Sequence, residues 1–233
     1  MLATPAGVGA ARTHEKARPA TECSRAGLLA VQLRHDCQLT SEEYVKQEAW
    51  KSASLQRCPK HPAGGCGFAR HTAYARVEPP GMHIARWYCP EAHVTFSLLP
   101  DCLASRLSST LNEVEHVAAA VEQRAGSLEE VAEQLRPDIE VQGAVRWVRR
   151  RVAAAALALS ALKGLLPEVL GSVTPTLGEV RAALGVDSVL AAVRAVAAAQ
   201  LAFVPPYVGF GARPAGGKPG RGHRQQEAGA DPP

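Results

Sequence analysis

The sequence predicts an α+β chain, mostly α, and three observations carry that prediction. Cysteine, histidine, glycine, proline and aromatic residues crowd into residues 57–100, where two strand-like runs flank Glu78-Pro-Pro-Gly81. Proline followed by glycine is turn chemistry, so the two runs read as a β-hairpin. From Ser108 onward apolar residues recur at spacings of three and four, the repeat of one helical face. Both ends of the chain lack such a pattern, and the Gly/Pro/Arg stretch 209–233 cannot bury a core. The predicted architecture is a small β unit followed by a helical bundle, between disordered termini.

Composition narrows the options. With 233 residues, 46% hydrophobic and only 5% aromatic, the chain suits one medium or two small domains rather than one large aromatic-rich enzyme core. It has no glycine period and no sustained heptad, and it is too apolar to be wholly disordered. The net charge of +4 is mild, so its distribution matters more than its sum. The longest apolar run, 152–162, is too short for a membrane span of about 20 residues and is interrupted by Lys163, Gly164 and Pro167. The first 20 residues lack the basic-then-apolar order of a signal peptide. The chain is therefore expected in the cytoplasm, where six cysteines point to metal or free thiols rather than a disulfide framework.

Taken in order, residues 1–40 read as a mobile arm, with 26–33 as a possible short helix. Residues 41–56 form a helix capped by Thr40 or Ser41 with Glu43 nearby, and Tyr44 and Trp50 supply its apolar surface. The β unit spans 57–106, with strands at 68–77 and 82–88 and a third at 94–98. The helical module, 108–166, opens at Ser108 or Ser109 with Leu111, Val114, Val117, Ala118 and Val121 on one face, and Gly126 stops that helix. Ser127-Leu-Glu-Glu130 is a capping box opening a second helix, which Pro137 ends. A longer third helix runs over 141–166, and Ala-rich helices at 176–184 and 188–203 complete the segment 167–208.

The β unit carries a metal-ligand pattern: Cys58-Pro-Lys-His61, then Cys66-Gly67, then Cys89-Pro-Glu-Ala-His93. A structural zinc takes four Cys or His ligands in a tetrahedron, and a unit with so few apolar side chains gains from the metal what its core cannot supply. There are five candidates for four places. Cys58, Cys89 and His93 are the firmest, and Cys66 and His61 compete for the fourth. Cys66 is preferred, because thiolate is the stronger ligand and a glycine after it suits a left-handed bend. Pro59 and Pro90 stiffen the two turns. The competing interpretation is a ribbon that has lost its metal, with the cysteines packed as small apolar groups. His71 and His83 are expected at the surface, Cys23, Cys37 and Cys102 as structural thiols, and Trp87, Tyr88 and Phe96 as the small core.

The run Arg86-Trp-Tyr-Cys89-Pro-Glu-Ala-His93-Val-Thr-Phe-Ser-Leu-Leu-Pro100 resembles the second knuckle of the N-terminal zinc ribbon of bacterial insertion-sequence transposases. Arg70-His-Thr-Ala-Tyr74 is similar to the strand that follows the first knuckle in that family. Including the helices that follow, the resemblance covers about 57–151. It implies a module that recognises transposon ends in double-stranded DNA. The chain departs from the family pattern where Cys89-x-x-x-His93 replaces Cys-x-x-Cys, and where the first knuckle carries the insertion His61-Pro-Ala-Gly-Gly65.

The helices 127–135 and 141–166, joined through Pro137 and Asp138, read as a helix-turn-helix. Between 108 and 140 there are eight acids against Arg124 and Arg136, and then Arg146, Arg149, Arg150 and Arg151 follow. Arg146, Arg149 and Arg150 share one face of the third helix, opposite Ala144, Val145, Val148, Val152 and Ala155, with Trp147 at the border. Such a face can reach phosphates and guanine edges, or it can pair with the acidic helix before it. Arg57, Lys60, Arg70, Arg76 and Arg86 of the ribbon could extend it. The acids after Val152 are few and lie on no strand-like run, so the catalytic domain of such transposases is expected to be absent, as are other catalytic signatures. The sequence thus predicts a non-catalytic, nucleoid-associated DNA-binding protein with one structural zinc. A helical interaction module that forms homo-oligomers, with the zinc as a structural clip, and a decayed mobile-element fragment are the alternatives.

Overall fold

A computed structural model describes residues 29–211. Of the disordered tail expected at 209–233, residues 212–233 lie outside the described residues, as do Cys23 and the first 28 residues of the expected arm; 209–211 instead pack back, their Phe210 and Gly211 amides bonding the Leu201 and Val204 carbonyls. Among the described residues the fold is α+β, with one four-stranded sheet and seven helices. Among the described residues, no helix is long and apolar enough to cross a membrane.

The hairpin forms as the turn chemistry predicts. β2 (Ala69–Ala75) pairs antiparallel with β3 (His83–Cys89), and β3 pairs antiparallel with β4 (Val94–Pro100). The fourth strand is a correction. Residues expected as part of a mobile arm, or as a short helix at 26–33, instead form β1 (Leu29–His35), parallel to β4, giving the order β1-β4-β3-β2. Period-two alternation explains the difference: Val31 and Leu33 fall on the face that packs with Trp87, Phe96 and Leu98. Without its long-range partner β4, the segment offers only a short apolar run that strand and helix share. Arg34 clamps the pair, donating from Nε and a terminal nitrogen to the two carboxylate oxygens of Asp101 at 2.8 Å each.

α1 (Ser41–Lys46) is capped by Thr40 and Glu43 in a reciprocal box, and is shorter than the predicted 41–56 because 47–52 continues as turns, with Glu48 at φ +48°. Its buried Tyr44 packs with Met82, Ile84, Leu99 and Leu103, and Cys37 and Cys102 line the same cluster. Burial pushes both thiols up, that of Cys102 to about 12, so these cysteines behave as small apolar groups.

The helical part begins with α2 (Leu111–Glu122), capped by Thr110, one residue past the predicted serines. α3 (Leu128–Leu135) has the predicted Ser127–Glu130 capping box, and α4 (Val141–Leu165) is the predicted long helix. α5 (Pro167–Leu170) is a single extra turn, followed by α6 (Leu177–Leu184) and α7 (Val189–Val196). α7 is shorter than the predicted 188–203, because 197–203 continues as turns before the chain packs back through Val204 and Val208.

Two glutamates of α2 hold the later helices. Glu115, 4% exposed, accepts from the Val189 and Leu190 amides at 3.0 and 2.9 Å and from Arg181 at 2.9 Å. The side chain of Ser188, the α7 N-cap, makes no cap bond, so this carboxylate caps the helix from outside. Glu122 does the same for α6 through the amides of Leu177 and Gly178. Glu115→Ala is expected to lower unfolding stability by about 3 kcal/mol, since buried donors lose a charged acceptor. Chemical denaturation checks this, and a loss below about 1 kcal/mol would mean that water replaces the cap.

Candidate metal centre and arginine face

The donor atoms of Cys58, His61, Cys66 and Cys89 lie within 4.8 Å of one another, and the three cysteines are buried. Local sequence explains how they meet. The chain turns at 58–61, with the His61 amide donating to the Cys58 carbonyl at 3.2 Å. Gly64 and Gly65 then take φ of +87° and +82°, which folds the loop back so that Cys66 returns to the cluster. Gly67 follows with φ +65°, the predicted left-handed bend, and a Cβ there would come within 3.1 Å of Pro90. The two knuckles therefore abut. The Ala92 amide approaches Cys89 Sγ at 3.4 Å, fixing the second knuckle.

The geometry answers the question of the fourth ligand differently from the sequence. His61, the alternate, joins the cluster together with Cys66, and His93 does not. His93 is exposed, sits at φ +51° and turns its Nδ1 to the Tyr88 hydroxyl at 3.2 Å. The Cys89-to-His93 spacing made it look like a ligand, but the left-handed turn aims it away. The signal that identifies His61 is its two-residue spacing from Cys58, the shorter and commoner ligand interval.

The donors fit a tetrahedral ion. Zinc at about 2.3 Å from sulfur and about 2.0–2.1 Å from nitrogen sets a sulfur-to-nitrogen edge of about 3.5 Å. His61 Nδ1 lies 3.7 Å from Cys58 Sγ and 3.3 Å from Cys89 Sγ, on either side of that value. Burial opposes ionisation of Cys58, but the His61 ring and nearby amides outweigh it and bring the thiol down to about 7. Burial raises Cys66, reinforced by the neighbouring thiols. A buried thiol held up by its neighbours, as at Cys66, is what a cation relieves. The four residues are thus compatible with a single zinc-like site.

The arginine face lies where periodicity put it. Arg146, Arg149 and Arg150 are exposed on α4, while Ala144, Val145 and Val148 are buried against α2 and α3. None of the three has a carboxylate within ion-pair distance among the described residues. The flanking arginines are engaged instead. Arg151 stacks 3.7 Å from the Trp147 ring centre and bonds Glu113 at 2.9 Å, and Arg136 bonds Asp138 at 2.7 and 2.6 Å with its guanidinium 5.1 Å from the same ring. The acids of α2 that could have neutralised the face are engaged elsewhere, Glu113 on Arg151 and Glu115 and Glu122 on helix ends.

The basic residues of the β unit extend this face less than their number suggests. Arg70 is spent on the carbonyls of Trp50, Lys51 and Ala53, and Arg76 on those of Ala104 and Leu107. Arg86 lies over Tyr74, which leaves Arg57 and Lys60 exposed. His71 is exposed as expected, whereas His83 is half-buried, stacked 4.7 Å from Trp50.

No protein-family model, curated protein or solved structure matches the chain. The functional reading therefore stands on the residues themselves.

Proposed function

We propose that the protein is a non-catalytic, transposase-derived module that binds double-stranded DNA, with Arg146, Arg149 and Arg150 on the phosphates and a zinc ion as the clip that orders the ribbon. The observation that carries this reading is the free arginine face. Of the five arginines around the start of α4, two are tied to carboxylates and a tryptophan, and three project into solvent with no acid at hand. Three parallel cations on one rigid helix are a footprint for a polyanion. α3 and α4, joined through 136–140, supply the helix-turn-helix of this reading, with α4 as the recognition helix. The clip consists of Cys58, His61, Cys66 and Cys89, a set of three thiolates and one imidazole that suits zinc.

Anisotropy titration of a labelled random duplex over a salt series tests the DNA reading. Each phosphate contact contributes about 0.9 to the slope of log K against log salt, so the Arg146→Ala/Arg149→Ala/Arg150→Ala variant is expected to lower that slope by about 2 to 3. Binding by the unaltered chain that ignores salt, or an unchanged slope in the variant, refutes this role.

A second reading rests on a different observation. Residues 195–203 carry no charge, and Val196 and Phe203 are 49% and 75% exposed there, with Leu157 of α4 49% exposed. Such surface suits a partner helix or a second copy of the chain. Sizing that shows a concentration-dependent oligomer without DNA retention favours it.

A further inference from the structure

We infer that a metal in this site meets His61 through Nδ1, and that Glu91 is the positioning residue that holds the ring in that orientation. The inference rests on the metal reading above. His61 turns Nδ1 towards Cys58 Sγ and Cys89 Sγ, at 3.7 and 3.3 Å, while its Nε2 faces Glu91 Oε2 at 3.7 Å. The two ring nitrogens thus divide the work: one points into the donor cluster, the other at a carboxylate outside it. A neutral imidazole carries its proton on the nitrogen that does not ligate, so the carboxylate selects the tautomer with Nε2–H.

Sequence explains why Glu91 is in place. It sits at the tip of the second knuckle, after Pro90 and before Ala92, whose amide binds Cys89 Sγ at 3.4 Å. That knuckle contributes one ligand, Cys89, where a Cys-x-x-Cys knuckle would contribute two, because position 92 is alanine. His61 crosses from the first knuckle to fill the tetrahedron, and Glu91 ties its ring to the second. The contact therefore bridges the two loops at the point where the ligand set is least symmetrical. No other carboxylate lies within ion-pair distance of His61 among the described residues.

Outer-shell carboxylates of this kind are worth about 10–100-fold in metal affinity. The Glu91 side chain is 63% exposed, and solvent screens its contact, which places the expected effect near the lower end, about tenfold. The test uses the full chain with zinc as the probe. Chelator competition is expected to show about tenfold weaker zinc binding for Glu91→Gln. In a His61→Cys background, which has no ring to orient, the same substitution is expected to change nothing. Nitrogen-15 spectra of the zinc-loaded chain are expected to show His61 protonated at Nε2 and ligated at Nδ1. Ligation through Nε2, equal affinity of the Glu91→Gln and unaltered chains, or an undiminished Glu91→Gln effect in the His61→Cys background overturns the assignment. A chain that takes up no zinc overturns the metal reading itself, and the assignment with it.

Discussion

Cys89→Ser is expected to abolish metal uptake, taking native-mass zinc content from one ion per chain to none, and to unfold the ribbon while the helices remain. Cys89 is the only cysteine of the cluster that comes from the second knuckle, so its loss leaves His61, Cys58 and Cys66 of one loop with nothing across from them. Serine is nearly isosteric but a far poorer ligand at neutral pH. The energy at stake is large: structural zinc contributes on the order of 10 kcal/mol or more to folding of small metal-built units, against the few kcal/mol that a short sheet core leaves as surplus. Helical signal should persist, because the cluster built from Leu111, Leu159, Leu162, Leu177 and Leu190 does not involve the knuckles. Far-ultraviolet circular dichroism together with zinc analysis separates the two effects. Zinc retained at full stoichiometry in Cys89→Ser would remove this residue from the ligand set. Affinity should also fall as pH drops below neutrality, since every ligand must shed or lack a proton to bind. A site whose apparent affinity rose on acidification would not be this one.

Much of the candidate site was legible in the sequence because its chemistry resides in residue types. Three of its four members, Cys58, Cys66 and Cys89, follow from ligand identity and the turn residues beside them, and the arginine face follows from a 3.6-residue repeat. What was not legible depends on backbone handedness and on long-range pairing. His93 has a credible spacing from Cys89, but its positive φ turns it outward. Cys66 comes back beside His61, so that both enter the cluster, only because Gly64 and Gly65 permit a loop that no periodicity describes. β1 was hidden for the same reason: its partner lies 65 positions away, Leu29 against Val94, and its local pattern is ambiguous. The acidic stretch before α4 looked like a counter-charge for the arginines. In the fold, the three glutamates of α2 are used elsewhere, Glu122 and Glu115 capping α6 and α7 and Glu113 clamping Arg151, a use set by tertiary contacts that no local window contains.

Arg194→Met is expected to lower global stability by about 3–5 kcal/mol, the range for removing one partner of a buried charged network. Its position in the repeat of Val189, Leu190, Val193 and Ala197 puts an arginine on the buried face of α7, where it is 1% exposed. Its guanidinium donates to four backbone carbonyls: Nε to Val208 at 2.7 Å, one terminal nitrogen to Asp101 and Leu103 at 3.0 and 2.7 Å, the other to Tyr207 at 2.8 Å. Burial pulls its pKa down to about 10, with Asp101 and Cys102 pushing back, so the group remains a cation at neutral pH. The planar fork does what no helix or sheet ladder does here. It joins the loop after β4, α7 and the segment at 207–208, satisfying carbonyls that would otherwise be buried without donors. Methionine matches the length but supplies no donor, so the Val208, Asp101 and Leu103 carbonyls lose the guanidinium and that of Tyr207 keeps only the Ser105 amide, at 3.0 Å. Lysine has three donors in a compact head and can serve at most three of them, so Arg194→Lys should fall between Met and the unaltered chain. Hydrogen exchange gives the local readout. The Phe210 and Gly211 amides, bonded to the Leu201 and Val204 carbonyls at 2.7 and 2.9 Å, should lose protection before those of α2 do. If Arg194→Met is as stable as the unaltered chain, the apolar isostere repacks and the buried cation contributes specificity rather than stability; if exchange at Phe210 also stays unchanged, Arg194 does not hold the 207–208 segment at all.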